Sequence, residues 1–203
     1  VKEDFMDAAQ VADKLSINLV QMNFAQKYKE KVFSYFLNEL NKGKTPNPDI
    51  YCNKYIKFKE FTDYAFENGY DAVATGHYSK IQVINKEHFL CKSYDQSKDQ
   101  TYFLSQVDRD IFSKIKFPLG NLLKTDVRKI AEKENLITFD KKDSTGICFI
   151  GERPFPEFLK NYLPEEHGEI VYDSGEVIGS HTGLHNYTIG QRQGLRIGGL
   201  KNR

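Results

Sequence analysis

Two short stretches hold the residues whose types and spacing could do chemistry. In residues 43–53 (GKTPNPDIYCN) a carboxylate, Asp49, stands three residues before a thiol, Cys52, on a segment stiffened by Pro46 and Pro48. The apolar spacing predicts a helix over 54–68, which puts Cys52 just ahead of a helix N-terminus. There the helix dipole and free backbone N–H groups favour a thiolate. A stiff loop that presents a carboxylate beside a thiol suits proton transfer and nucleophilic attack. The same pattern is also that of an ordinary helix-capping loop with an inert cysteine, and the local residues leave both readings open.

The second stretch is 143–151 (DSTGICFIG), which contains Cys148. Small residues and glycine on both sides permit close backbone approach to a partner, whereas Ile147, Phe149 and Ile150 could equally bury the thiol. Cys91 ends an apolar, strand-like run and is expected to be buried filler. Three cysteines at wide spacing form neither a disulfide framework nor a zinc signature, so no metal site is expected and a reducing compartment fits best.

The elements that must position these loops follow from periodicity. Ala8, Val11, Ala12 and Leu15 predict an opening helix, residues 18–22 a short strand, and Phe33, Phe36, Leu37 and Leu40 a helix that stops near Gly43. After the 54–68 helix, residues 71–75 (DAVAT) read as a short buried strand ending at Gly76-His77. This alternation of helix and strand is that of a parallel α/β sheet. A hairpin is expected from 81–84 with 88–91, then a polar loop over 93–99. Residues 100–135 should be mainly helical, with Thr125 capping a helix that buries Val127, Ile130 and Ala131. A short helix should turn Phe155, Phe158, Leu159 and Tyr162 inward. Beyond His167 the texture changes to two strand-like stretches, 169–172 and 176–180, around Asp173-Ser174-Gly175. A domain boundary is placed near Gly151, giving 1–150 and 151–203.

Composition is that of a globular protein, with 39% hydrophobic and 28% charged residues, and no apolar run reaches membrane-span length. Nothing near Val1 reads as a signal peptide. Net charge is only +1, yet residues 27–59 carry eight lysines against three acids, and residues 191–203 four basic residues and no acid. Such stripes can hold a polyanion or simply be solvated faces.

Taken together, the two cysteine loops resemble those of the tRNA-specific 2-thiouridylase family. The strings that carry the resemblance are TPNPDIYCNK (45–54) with Ile56-Lys57-Phe58, DSTGICFIG (143–151), ATGHY (74–78) and Lys98-Asp99-Gln100 with Tyr102-Phe103-Leu104. Phe117-Pro-Leu-Gly120 and Thr188-Ile-Gly-Gln-Arg192 follow in the same order. The resemblance runs along essentially the whole chain. It implies an α/β fold: a parallel-sheet nucleotide-hydrolase domain of the PP-loop or HUP-like kind with a helical extension, then a small β-rich central domain that binds tRNA.

The resemblance further implies ATP-dependent sulfur transfer to C2 of the wobble uridine of tRNA. Cys148 would carry a persulfide, Cys52 would be the nucleophile that forms a disulfide with it, and Asp49 the general acid/base. Asn47, Pro48 and Asp49 would contact the target base, Gly76 would lie against ATP with its Mg2+, and His77, Lys98, Asp99 and Gln100 would touch the tRNA. Implied partners are tRNAs for lysine, glutamate and glutamine and a sulfur-relay donor protein, with no membrane. The protein would be a monomer in a bacterial-type cytoplasm, or else an organellar homologue.

Two departures from the family pattern bear on this. Its Ser-Gly-Gly-x-Asp-Ser ATP loop would lie upstream of Val1 and its C-terminal β-barrel beyond the last residues, so the 203-residue piece alone is expected to bind ATP poorly and to be inactive. Competing readings are another adenylating ATP pyrophosphatase that transfers nitrogen, a catalytically inactive tRNA-binding protein, and a dithiol redox module.

Overall fold

The computed structural model describes residues 2–142, 155–195 and 197. They form a mixed α/β chain in two compact units, Val1–Tyr28 with Asp49–Ser144 and Lys29–Pro48 with Thr145–Arg203.

In the first unit, α1 (Lys2–Lys14) opens the chain with Glu3 and Asp4 in its first turn and Lys14 in its last, charges that suit the helix dipole. Of its expected apolar stripe only Ala12 is buried, and Leu15 is exposed. The strand expected at 18–22 does not form. Leu19 and Val20 point to solvent and no described strand lies alongside to pair with them, so the apolar run has nothing to form a ladder with.

After α2 (Ala25–Tyr28), the segment that matters most begins at α4 (Pro48–Tyr51), preceded in sequence by α3 (Ser34–Asn41) of the other unit. The helix thus starts at Pro48 and not at residue 54. Proline is well suited to a first helical turn, where its missing N–H would have had no partner. The winding then widens: over Cys52–Glu60 it is π-helical, and the Phe61 N–H reaches back five residues to the Ile56 carbonyl. Then α5 (Phe61–Glu67) returns to regular winding until Gly69, at φ +83°, ends it.

Strands β1 (Val73–Ala74) and β4 (Ile115–Lys116) pair in parallel, Val73 with Ile115 and Ala74 with Lys116. Around them Phe58, Ala65, Leu104, Val107 and Phe112 complete the core. Between the two strands lies the expected hairpin, β2 (Ser79–Ile84) against β3 (Glu87–Lys92), longer than its apolar run.

Residues 100–135 are less helical than expected: two 3-10 turns, Thr101–Leu104 and Arg109–Lys114, precede β4, and the only α-helix described there is α6 (Lys124–Lys133). Thr125 does not cap α6. Leu123 occupies the cap position, and a distant carboxylate does the capping: the Lys124 N–H donates to Asp95 Oδ2 at 2.9 Å. Val127 and Ala131 are half-buried and Ile130 is exposed, so this apolar stripe is not the core face the spacing suggested.

In the second unit, the π-helical stretch Lys29–Phe33 and α3 bury Val32, Phe33, Phe36 and Leu40. The Phe33 ring meets Phe158 at 5.8 Å and Tyr162 at 4.9 Å, where α7 (Phe155–Leu159) and the following turn contribute a fully buried Leu159. Phe158 is only half-buried and Tyr162 is exposed, in contrast to the inward stripe expected. β5 (Gly168–Val171) and β6 (Val177–His181) then form an antiparallel hairpin with an irregularity at Ile170/Val171. Its turn needs Gly175, at φ +87°.

Candidate active site

Asp49 and Cys52 are three residues apart on one continuous helical segment, so they share a face. The dipole argument for Cys52 changes, because the thiol lies a full turn inside the helix and is buried to 7% exposure. Dipole effects fade within the first turn. What the helix supplies instead is registry. Asn53, 2% exposed, donates its side-chain amide to the Asp49 carbonyl at 3.0 Å and fixes the turn that carries both groups. The π-type widening starts at Cys52 itself, a feature that recurs at functional sites because it re-aims side chains.

Burial pushes the Asp49 carboxyl above its ordinary value, and the Lys57 ammonium pulls it partly back. Lys57 also acts on His77, whose imidazole is lowered to about 4, first by burial and then by that positive charge. His77 is therefore neutral at physiological pH. It is held by Thr75, whose Oγ1 lies 2.9 Å from Nδ1, and packs against the rings of Phe58 at 5.6 Å and Phe117 at 6.2 Å, which also touch each other.

Gly76 sits just past the C-terminal end of β1, where open α/β sheets bind ligands. Among the described residues a Cβ added there would approach only Leu119 Cδ1, at 4.0 Å, so the backbone leaves room for a ligand edge.

The three residues of the 98–100 loop divide. Lys98 is exposed. The Asp99 carboxylate turns inward and accepts from the Ser93 N–H and the Thr101 hydroxyl, both at 2.8 Å. Gln100 is likewise engaged: its Oε1 accepts from the Tyr78 N–H at 3.0 Å and its own N–H donates to the Tyr78 carbonyl at 2.9 Å. These bonds tie the loop to the strand exit that carries Gly76 and His77.

Asn47 is half-buried and Pro48 buried at the entry to α4. Cys148 and the rest of 143–151 lie outside the described residues. Cys91 is half-buried, not buried filler, with its thiol directed at Gln82 Oε1 and the Phe89 carbonyl.

The lysine-rich stripe is partly engaged within the chain. Lys42 and Lys44 both pair with the buried Glu39, Lys27 pairs with Glu60, and Lys59 with Asp63. Lys54 lies over the Tyr55 ring. The exposed Lys59–Asp63 pair holds little energy and leaves its lysine available to a polyanion, whereas Lys42 and Lys44 serve the buried Glu39. Two cavities, about 570 and 270 Å³, lie around the β2–β3 hairpin and are lined by none of the candidate residues. Among the described residues no cluster of histidine, cysteine and carboxylates could hold a metal ion, and no helix is long and apolar enough to cross a membrane.

Sequence reasoning missed Asn53, Lys57, Thr75 and Phe117. Only Asn53 had a local signal, its i,i+4 spacing from Asp49. The others act across elements that periodicity does not connect.

The family model described as the tRNA methyl transferase HUP domain matches residues 1–152, and the one described as the tRNA methyl transferase PRC-barrel domain matches 156–203. A protein of Chromobacterium violaceum named tRNA-specific 2-thiouridylase MnmA is 52% identical over 202 residues, covering 100% of this chain and 53% of its own length. The protein of that name from Methylobacillus flagellatus is 55% identical over 201 residues, 99% of this chain and 56% of its own. Geobacillus kaustophilus has one named tRNA-specific 2-thiouridylase MnmA 1, 54% identical over 197 residues, 97% of this chain and 53% of its own. The chain thus spans about half the length of the curated relatives it matches. It is similar along its length to proteins named tRNA-specific 2-thiouridylase, and it belongs to the tRNA methyl transferase HUP-domain family.

Proposed function

We propose that this chain belongs to an enzyme that replaces the C2 oxygen of the wobble uridine of tRNA by sulfur. The observation that carries the reading is the shared helix face of Asp49 and Cys52, with Asp49 raised by burial toward a proton-transfer role. ATP, with Mg2+, would supply the adenylation that makes the C2 oxygen a leaving group. Gly76 and Thr75, at the C-terminal end of β1, are the residues of this chain that fit a nucleotide edge, and no phosphate-cradling glycine loop is among them.

In this reading Cys148 holds the sulfur as a persulfide. Its terminal sulfur bonds to C2 as AMP departs. The Cys52 thiolate then attacks the inner sulfur of Cys148, which breaks the S–S bond, leaves 2-thiouridine and forms a Cys52–Cys148 disulfide. A dithiol reductant or the donor protein must return both thiols before the next turnover. Asp49 moves the proton at the base, and burial keeps that carboxyl closer to neutral pH than a solvent-exposed one. Neutral His77 and exposed Lys98 line the approach to the tRNA. Asn47 and Pro48 stand beside Asp49 at the target base. Lysine, glutamate and glutamine tRNAs are the expected substrates, in a bacterial-type cytoplasm, with a sulfur-relay protein as donor.

The test uses the full-length protein with tRNA, ATP, magnesium and a persulfide donor. The digested tRNA is read by mass spectrometry, which separates sulfur-for-oxygen exchange from methyl addition. Wild type should yield 2-thiouridine, and Cys52→Ser and Cys148→Ser should not. Methylated uridine, or thiolation that survives both substitutions, would sink the proposal.

A further inference from the structure

Tyr102 has not been given a task by anything above. It sits in the 3-10 turn Thr101–Leu104, directly after the Lys98-Asp99-Gln100 loop, and keeps 56% of its surface exposed. Two residues on, Leu104 is 1% exposed and embedded in the core with Phe58, Val73 and Ile115. The turn is therefore nailed down at one end. It is latched at the other by the two Gln100–Tyr78 hydrogen bonds and by the Thr101 hydroxyl, which donates to Asp99 Oδ1 at 2.8 Å or to the Cys91 carbonyl at 3.2 Å. The Phe103 N–H closes the turn on the Gln100 carbonyl at 3.1 Å.

An exposed tyrosine on a mobile loop needs no explanation. This one is held still. The Phe103 ring backs it, with ring centroids 3.9 Å apart and 33° between planes, so its orientation is set as well as its position. Its turn, Thr101–Leu104, packs against the helical stretch Cys52–Glu60 that continues directly from Asp49. Partial desolvation first, and Asp49 second, raise the phenol above its ordinary value.

We infer that Tyr102 is the platform on which the target pyrimidine rests while Asp49 acts on it. The inference depends on the thiolation reading above and deepens it by naming what holds the base. Proteins that take single-stranded RNA seat splayed bases on aromatic rings, and a base that leaves its stack needs such a surface to be still when it arrives. A fixed ring on a turn packed against the helix that carries the half-buried Asp49 meets both needs. The ring, and not the hydroxyl, does the work.

The test uses the full-length protein and an anticodon stem-loop RNA. Tyr102→Leu should keep the fold, as read by circular dichroism and melting temperature, because the side chain is exposed. Its kcat/KM for thiolation should fall about ten- to a hundredfold, and its overall RNA affinity at fixed salt should hardly move, since phosphate contacts dominate that affinity. Tyr102→Phe, which keeps the ring, should restore most of the loss. With 5-iodouridine at the target position, near-ultraviolet light should couple the base to Tyr102. Unchanged kcat/KM in Tyr102→Leu, with the photoadduct on another residue, overturns this inference alone. Failure of wild type to thiolate the RNA removes the parent reading and this inference with it.

Discussion

Gln100 and Tyr78 hold each other by two hydrogen bonds: the Tyr78 N–H donates to Gln100 Oε1 at 3.0 Å, and the Gln100 N–H to the Tyr78 carbonyl at 2.9 Å. Tyr78 is 6% exposed, so its N–H has little access to water if the glutamine side chain is lost. Stranding a buried donor costs about 1–3 kcal/mol. Gln100→Ala should lower the urea midpoint of the full-length protein accordingly, and Gln100→Glu, which keeps an acceptor, should recover most of it. Unchanged stability with weakened tRNA binding would return Gln100 to the role of a direct RNA contact.

The Asp49 carboxyl offers a prediction with opposite signs for stability and activity. Its folded pKa is raised by burial, so the folded state prefers the protonated form. Stability from this group is therefore present at low pH and is lost as pH rises through the folded value. At neutral pH a charged Asp49 is a liability that the fold tolerates. Asp49→Asn should leave the fold equal or up to about 1 kcal/mol more stable by denaturant titration. The same variant should lose thiolation, since the amide cannot exchange the proton. Marked destabilisation would show that the carboxylate holds the structure together instead.

The helix that carries Asp49 and Cys52 was legible in the sequence, and the limits have physical causes. Pro48 and Pro46 marked the stiff entry, the spacing of Asp49 and Cys52 left a reactive and an inert reading both open, and Asn68-Gly69 ended the helix as expected. What the spacing misjudged was where that helix begins: prolines were read as breakers, whereas a proline at a first helical turn starts one. The Thr125 cap failed for a different reason. Asp95, held in the 93–99 loop by bonds to Ser97, supplies the capping carboxylate from far along the chain, and no local pattern announces that. Phe58 and His77 likewise meet only through the packing of the π-helical stretch on the exit of β1.

His77 gives a pH dependence with a defined window. In the unfolded chain an imidazole takes up its proton near pH 6.5, while in the folded protein it does so only at about 4, mainly because it is buried. Between those values the unfolded state binds more protons, so stability rises with pH and is lost as pH falls from about 6.5 toward about 4. The loss attributable to this group is at most about 3 kcal/mol. Urea titrations across that range should show the limb in wild type and a flatter one in His77→Gln. A limb that persists unchanged in the variant would assign the acid sensitivity to other groups.

Gly120 tests whether the loop and hairpin must touch backbone to backbone. A Cβ built there would lie 2.1 Å from the Ser79 carbonyl oxygen, 3.0 Å from its carbonyl carbon and 2.5 Å from Lys80 Cγ. Lys80 could swing aside, but the Ser79 backbone cannot: its N–H is bonded to the His77 carbonyl and its hydroxyl to the Cys91 carbonyl. On its other side Gly120 accepts from the Tyr94 N–H at 2.8 Å, so the glycine is clamped from both directions. Gly120→Ala should therefore destabilise by about 1–3 kcal/mol or more, far beyond what one methyl costs on an open surface. Gly175→Ala makes the control for conformation without crowding: among the described residues nothing lies within 4 Å of its added Cβ, and the positive φ is what opposes it. That variant should be milder and should leave activity intact, because its turn lies between β5 and β6 and holds no candidate residue. Because Ser79 follows the Gly76-His77-Tyr78 run directly, the strain from Gly120→Ala should also reach the site and lower thiolation in whatever fraction remains folded. A Gly120→Ala protein of wild-type stability and activity would mean that the hairpin can retreat from this contact and that the strand exit is not held as described.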